Sequence, residues 1–275
     1  MVAQTTDRPA LPIGMFDSGV GGLTVARSTM DLLPHEHLIY FGDTARCPYG
    51  PRPESEVRKF ALQIMNDLVE EGVKILVIAC NSAASSALHQ ARSRYDVPVM
   101  SVIEPGVRAA IAATRNRKVG LIGTERTVSA GAYDDAVLAT RVNVDLVSQA
   151  CPRFVEFVEA GDTTSDELIR VAEEYLTPLK ERGVDTLILG CTHYPLLSGV
   201  ISYVMGEDVV LVSSADATAN EVFAKLRDDE LLNPSSAPGI HRFIASSSDG
   251  MFGELGEMLL GPRFGGIEHR PWRTD

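Results

Sequence analysis

The chain has 275 residues, 45% of them apolar, enough to bury a core in one large domain or in two of ordinary size. Lys plus Arg number 25 against 37 Asp plus Glu, and the net charge of −12 would repel a phosphate backbone, which excludes nucleic acid as the primary ligand. The start, MVAQTTDRPALPIG, has no basic region followed by an apolar core, and no apolar run approaches the ~20 residues of a membrane span, so the expectation is a soluble, cytoplasmic protein with no membrane partner.

In chain order, apolar runs of strand length alternate with helical patterns. PIGMFD (12–17) leads into the glycine-rich DSGVGGLTV (17–25), and HLIYFGD (37–43) into the Pro-Gly loop GDTARCPYG (42–50). A helical pattern, VRKFALQIMNDLVEEG (57–72), precedes the strand KILVIAC (74–80), and the helical NSAASSALHQARSR (81–94) precedes PVMSVI (98–103). KVGLIG (118–123), VDLVSQ (144–149), DTLILGC (185–191) and DVVLVS (208–213) complete the strands. Continuous rather than alternating apolar strands predict parallel sheets covered by helices on both faces, hence an α/β fold. No charged or low-complexity linker separates the halves, so a second domain is joined by short ordered crossings.

Shifted by 111 residues, the chain matches itself. Leu68 falls on Leu179, Glu70 on Glu181, Gly72 on Gly183, Val73 on Val184, Leu76 on Leu187 and Cys80 on Cys191. A weaker echo pairs IGMFDSG, from Ile13, with VGLIGTE, from Val119. Two related α/β halves follow, each with a cysteine at the carboxyl end of a buried strand. Ligands of open α/β sheets bind beyond those ends, so two facing halves would bring both thiols to one cleft. The four cysteines, at 47, 80, 151 and 191, are too few and too far apart for a disulfide framework and are expected to remain thiols.

Two thiols offered symmetrically suit inversion at a carbon centre. One thiolate removes a proton while a neutral thiol opposite returns one from the other face. A free thiol titrates near ~8.5, so the base needs a helix N-terminus or a nearby acceptor to ionise at neutral pH. Cys80 precedes a helical segment, and Cys191 precedes THYPLL, where Pro195 suits an opening helical turn. The free amides there, with the side chains of Asn81, Ser82 and Thr192, make a natural carboxylate site. No pyridoxal-binding lysine motif is visible, so amides aimed at the carboxylate would have to stabilise a developing carbanion, and no cofactor is expected.

DSGVGGLTV is neither G-x-G-x-x-G nor a Walker A sequence. Its Asp17 and Ser18 sit at a strand's carboxyl end, where Asp17 either receives a substrate ammonium or poises a thiol, or else caps the next helix. The loop GDTARCPYG could bring Tyr49 and Gly50 over the site, while Cys47 reads as a lone exposed thiol incidental to the chemistry. CPRFVEFVEAG (151–161) places Cys151 at a strand end and Glu159 on the following helix. His193, two residues after Cys191, is a proton acceptor of the right kind. C-x-H is not a usual zinc spacing and no C-x-x-C occurs, so no metal is expected.

Together FDSGVGGLTV, YFGDTARCPYG, ACNSAAS, CPRFVEFVEAG and GCTHYPLL, in order from about Ile13 to about Ser214, resemble the glutamate racemases. These are cofactor-independent enzymes that supply D-glutamate for bacterial peptidoglycan. The resemblance implies Cys80 and Cys191 as the two catalytic thiols, supported by Asp17, Glu159 and His193. It implies Asp17, Ser18, Tyr49, Gly50, Asn81, Ser82, Thr192 and His193 as substrate contacts. It assigns Cys80 to the face that deprotonates D-glutamate and Cys191 to the face that deprotonates L-glutamate. The fold implied is two three-layer α/β domains with the site in the cleft between them, residues 1–107 plus 218–275 forming the first and 108–217 the second, in an enzyme that is commonly a homodimer. The family often has Thr where this chain has Ser82, which keeps the hydroxyl and loses a methyl. The tail PRFGGIEHRPWRTD matches no motif. Some relatives bind DNA gyrase, and the motifs leave that undecided here. Racemisation of aspartate or a related acid, cysteine-dependent redox or hydrolytic chemistry, and a non-catalytic flavodoxin-like binding module remain the alternatives.

Overall fold

Each of the eight apolar runs forms a strand in the computed structural model, which describes residues 8–248 and 250–272. Most of the N-terminal stretch read for targeting (1–7), and the ends of the expected first domain, lie outside the described residues. The strands are β1 (Ile13–Asp17), β2 (Leu38–Gly42), β3 (Ile75–Ile78), β4 (Val99–Ser101), β5 (Lys118–Gly123), β6 (Asp145–Ala150), β7 (Thr186–Gly190) and β8 (Val210–Ser213). Two more, β9 (His241–Ala245) and β10 (Ile267–His269), were not expected. The helices are α1 (Leu23–Leu32), α2 (Glu54–Glu70), α3 (Asn81–Arg94), α4 (Ile103–Ala113), α5 (Glu125–Ser129), α6 (Ala132–Thr140), α7 (Arg153–Glu159), α8 (Asp166–Glu181), α9 (Ser198–Met205), α10 (Ser214–Asp228) and α11 (Met251–Leu260). Among the described residues, no helix is long and apolar enough to cross a membrane.

The strands make two all-parallel sheets, ordered β10-β9-β2-β1-β3-β4 and β6-β5-β7-β8. The segment β2-β1-β3-β4 of the first repeats the whole of the second, which is the structural form of the internal match. In each sheet the chain steps to one side of the central strand and then to the other, so a crevice opens at the carboxyl ends of β1 and β3 and again at those of β5 and β7. The match extends to backbone conformation. Gly72 and Gly183 both end a helix in the left-handed region, at φ 84° and 74°, where a side chain would be strained.

Why the strands are apolar throughout is visible in their packing. Phe16, Leu76 and Ile78 face α2, whose Val57, Ala61, Ile64, Met65 and Leu68 recur at helical spacing, and Ala83, Ala87 and Ala91 of α3. Their neighbours Met15, Ile75 and Val77 face the other way, onto Leu23, Ala26 and Met30 of α1 and Val222 and Leu226 of α10. Each such fully buried side chain contributes about 1.5–3 kcal/mol before the entropy of ordering is counted. In the second sheet Leu187 and Leu189 pack on α7 and α8, while Val119, Leu121 and Ile188 turn toward α4 and join the same apolar cluster as Phe16 and Leu76. The two halves therefore share one stretch of core, and the crevices open onto a common space.

Candidate active site

That space is a cavity of about 140 Å³. Its wall includes Ser18, Tyr49, Gly50, Cys80, Asn81, Ser82, Glu159, Cys191, Thr192 and His193, ten of the eleven residues picked out from sequence. Asp17 alone stands behind the wall. It is fully buried at the end of β1, where its carboxylate accepts from the Gly19 amide at 3.1 Å and from the Thr192 hydroxyl, across the halves, at 3.3 Å. It does not cap α1, whose N-cap is Gly22. The glycines of DSGVGGLTV serve this close approach rather than a phosphate: a Cβ on Gly21 would lie 2.4 Å from Thr192 Oγ1.

Cys80 is the N-cap residue of α3 and is almost fully buried, its Sγ 3.6 Å from Ser18 Oγ. Burial pushes its thiol up from 9.0 to about 12, Asp17 adds to the rise, and the amides of Ala83 and Ser18 with the Ser18 hydroxyl pull it back only in part. Of the two aids to ionisation expected from sequence, a helix N-terminus or a nearby acceptor, the first is thus outweighed at Cys80 by desolvation. Cys191 follows β7 and precedes a 3₁₀ turn over Tyr194–Leu197, with Pro195 near its start. Burial likewise raises its thiol, with the His193 amide opposing. Its Sγ lies 3.7 Å from His193 Nδ1, and His193 Nε2 lies 3.8 Å from Glu159 Oε1. The two thiols line one cavity with different neighbours. Cys80 has the buried carboxylate of Asp17; Cys191 has an imidazole backed by a half-exposed carboxylate.

A raised thiol pKa carries a stability signature. Below 9.0 the Cys80 thiol is protonated whether the chain is folded or not. Between 9.0 and about 12 the unfolded chain releases that proton and the folded one holds it, so stability falls as pH rises through this window. By pH 10 the loss from Cys80 alone is on the order of 1 kcal/mol. Denaturant melts at pH 8 and pH 10 check this: the loss should be smaller by about that amount in Cys80→Ala, and an equal loss in both proteins would contradict it.

The polar wall is built across the halves. Asn81 Oδ1 accepts from Tyr133 OH at 2.7 Å, which turns Nδ2 away, buried and without a partner. Ser82 Oγ lies 2.8 Å from Thr124 Oγ1 and 3.4 Å from Thr127 Oγ1. Tyr49 lines the cavity, but its hydroxyl donates to Asp43, and burial followed by the Asp43 charge keeps it protonated. It therefore offers a substrate its ring rather than its hydroxyl. Cys47 corrects the reading from sequence: it is half-buried, lines the cavity and places Sγ 3.5 Å from Glu159 Oε1. A contact between a loop of one half and a helix of the other leaves no local trace, which is why the thiol looked exposed. Burial and then Glu159 raise its pKa too. Thr124, Tyr133 and Asp43 were missed. Only Thr124 had a signal, since the weaker internal echo sets it on Ser18.

Among the described residues, no group of three or more His, Cys, Asp or Glu side chains is placed to hold a metal ion. What remains is a small site with one unpartnered side-chain amide, that of Asn81, and two buried thiols with different polar neighbours.

Residues 24–222 match the Asp/Glu/Hydantoin racemase family model. The glutamate racemase of Acidothermus cellulolyticus is 58% identical over 258 residues, covering 94% of this chain and 98% of that protein. Among solved structures, the glutamate racemase of Bacillus anthracis superposes with a TM-score of 0.89 at 39% identity, covering 94% of this chain and 97% of the other. That of Francisella tularensis, solved in complex with D-glutamate, gives 0.88 at 33% identity, covering 95% and 98%. With family match, identity and superposition all extending over most of its length, the chain belongs to the Asp/Glu/hydantoin racemase family and, within it, to the glutamate racemases.

Proposed function

We propose that this enzyme interconverts L- and D-glutamate by a two-base reaction in which Cys80 and Cys191 act on opposite faces of the α-carbon. The observation that carries the reading is the placing of two equivalent strand-end thiols on one small cavity, Cys191 beside His193 and Cys80 within the field of Asp17. Burial keeps both protonated, so the abstracting thiol must first pass its proton on, Cys80 toward Asp17 and Cys191 toward His193 and Glu159. The thiolate then takes the α-proton, and the opposite thiol delivers its own to the other face. The abstracting cysteine ends as a thiol and the opposite one as a thiolate, and the proton lent to the acceptor, returned through solvent to that thiolate, restores the resting pair. Asn81 Nδ2 and the amides that open α3 are suited to the substrate carboxylate, where they would hold the charge of the carbanion. Ser18, Ser82, Thr192 and the backbone around Gly50 complete the contacts. No pyridoxal or metal enters the proposal.

The reading extends to the division at residues 1–107 plus 218–275 and 108–217, to a homodimer, and to a cytoplasmic enzyme that provides D-glutamate for peptidoglycan. Family membership supports these. A direct test follows optical activity by circular dichroism, with L-glutamate and L-aspartate as separate substrates, after exhaustive dialysis against a chelator. The glutamate signal should decay to zero without additions. A signal that holds steady, that decays only when zinc or pyridoxal phosphate is restored, or that falls faster for aspartate would contradict the proposal.

A further inference from the structure

The C-terminal tail, which matched no motif, runs, over its described residues, to the loop that carries Cys47, Pro48, Tyr49 and Gly50 to the cavity. β10 pairs with β9, the Arg270 amide donates to Ala245 O at 2.9 Å, and the Arg270 guanidinium bonds Glu71 and Glu268. This path delivers Trp272 to Asp43, a carboxylate with no solvent exposure at the start of the loop. Indole Nε1 donates to Asp43 Oδ1 at 2.7 Å, and Ser246 Oγ donates to the same oxygen at 2.8 Å. The other oxygen accepts from Arg46 Nε at 2.6 Å and from the Tyr49 hydroxyl. The Arg46 guanidinium is stacked between two rings, 3.7 Å from the centroid of Trp272 and 4.1 Å from that of Phe60. The Trp272 ring also lies 5.3 Å from Phe41 of β2. Asp43 is thus a junction that ties the loop to itself through Arg46 and Tyr49 and to the C-terminal tail through Trp272.

We infer that Trp272 is a positioning residue for substrate binding: through Asp43 and Arg46 it holds the 43–50 loop in the register that forms one wall of the cavity. The inference rests on reading that cavity as the glutamate site. A buried carboxylate that loses a donor is left with an unmet lone pair, and Arg46 loses one face of its stack. The loop can relieve both by moving outward, which enlarges the cavity without touching either catalytic thiol. Substrate affinity should therefore suffer before turnover does.

Trp272 is the sole tryptophan of the chain, which permits a clean test. Growth on β-(3-benzothienyl)alanine replaces the indole N–H by sulfur and keeps the ring's shape, while Trp272→Phe removes both the donor and part of the stack. Both proteins should show KM for glutamate raised by about three- to tenfold with kcat within about twofold of wild type, part of the worth of one hydrogen bond to a charged group. Amide hydrogen exchange over 43–50, which needs no turnover, should quicken in both while exchange in α2 stays as it was. Should Trp272→Phe fail to fold, the benzothienyl protein decides alone. Unchanged KM and unchanged loop exchange in that protein would overturn the inference, as would a fall in kcat at constant KM. A wild-type protein that does not racemise glutamate would instead overturn the reading of the cavity, and the exchange measurement would still test the tail.

Discussion

Cys80→Ala and Cys191→Ala should each lower the interconversion of L- and D-glutamate by about 10³-fold or more, because inversion needs a proton acceptor on one face and a donor on the other. The double variant should be no worse than either single one, since groups that act as a unit do not contribute additively. Folding should survive. Each thiol is buried at a strand end, and trimming one sulfur leaves a small cavity worth about 1 kcal/mol, visible as a modest fall in thermal midpoint. The single variants should also differ from one another. If Cys191 is the base for L-glutamate, Cys80→Ala should still exchange the α-hydrogen of that enantiomer with solvent while forming little of the other. Cys191→Ala should do the same for D-glutamate. Nuclear magnetic resonance of the α-position reads this directly. A single variant that racemises at near the wild-type rate would remove that cysteine from the mechanism.

The second large effect concerns the acceptors. His193→Asn should slow the step that begins from L-glutamate, and Asp17→Asn the step that begins from D-glutamate, each by about 10²-fold. The geometry behind this is unequal: His193 Nδ1 lies 3.7 Å from Cys191 Sγ, whereas Asp17 stands behind the wall, held by Thr192 and the Gly19 amide, and reaches Cys80 through its charge. Net turnover cannot separate the two, because mirror-image substrates share an equilibrium constant of one. Primary isotope effects measured separately with α-deuterated L- and D-glutamate can. Weakening an acceptor makes its own abstraction more rate-limiting, so the effect should rise from the L side in His193→Asn and from the D side in Asp17→Asn. Equal changes on both sides would assign these residues to binding or folding, and the reverse pattern would exchange the faces.

Much of this was legible in the chain because the informative features are local. An unbroken apolar run such as ILVI needs cover on both faces, and a helix, a glycine and such a run repeated 111 residues later need a repeated half. Strand-end cysteines inherit their position from the strands, so Cys80 and Cys191 could be placed on one cleft before any contact was known. What stayed hidden depends on tertiary meetings. HRFIA and IEH are short and carry charged residues, and HRFIA lies far along the chain from β2, which it pairs with, so β9 and the β10 that pairs with it had no pattern to betray them. Cys47 meets Glu159, Asn81 meets Tyr133 and Asp43 meets Trp272 across 112, 52 and 229 residues, and no spacing rule reaches that far. How far burial raises the two thiols stayed hidden for the same reason. A helix N-terminus can be read from sequence, but the burial that outweighs it cannot.

The two-base claim is tested most directly by running the wild-type enzyme in heavy water from L-glutamate and examining both enantiomers at low conversion. If opposite thiols remove and deliver the proton, the D-glutamate formed carries solvent deuterium at the α-carbon in nearly every molecule, while the recovered L-glutamate remains almost wholly protiated. The mirror experiment from D-glutamate should give the mirror result. Product that retains the original α-proton, or deuterium entering both enantiomers equally from the first turnovers, would mean a single base serves both faces and would contradict the account.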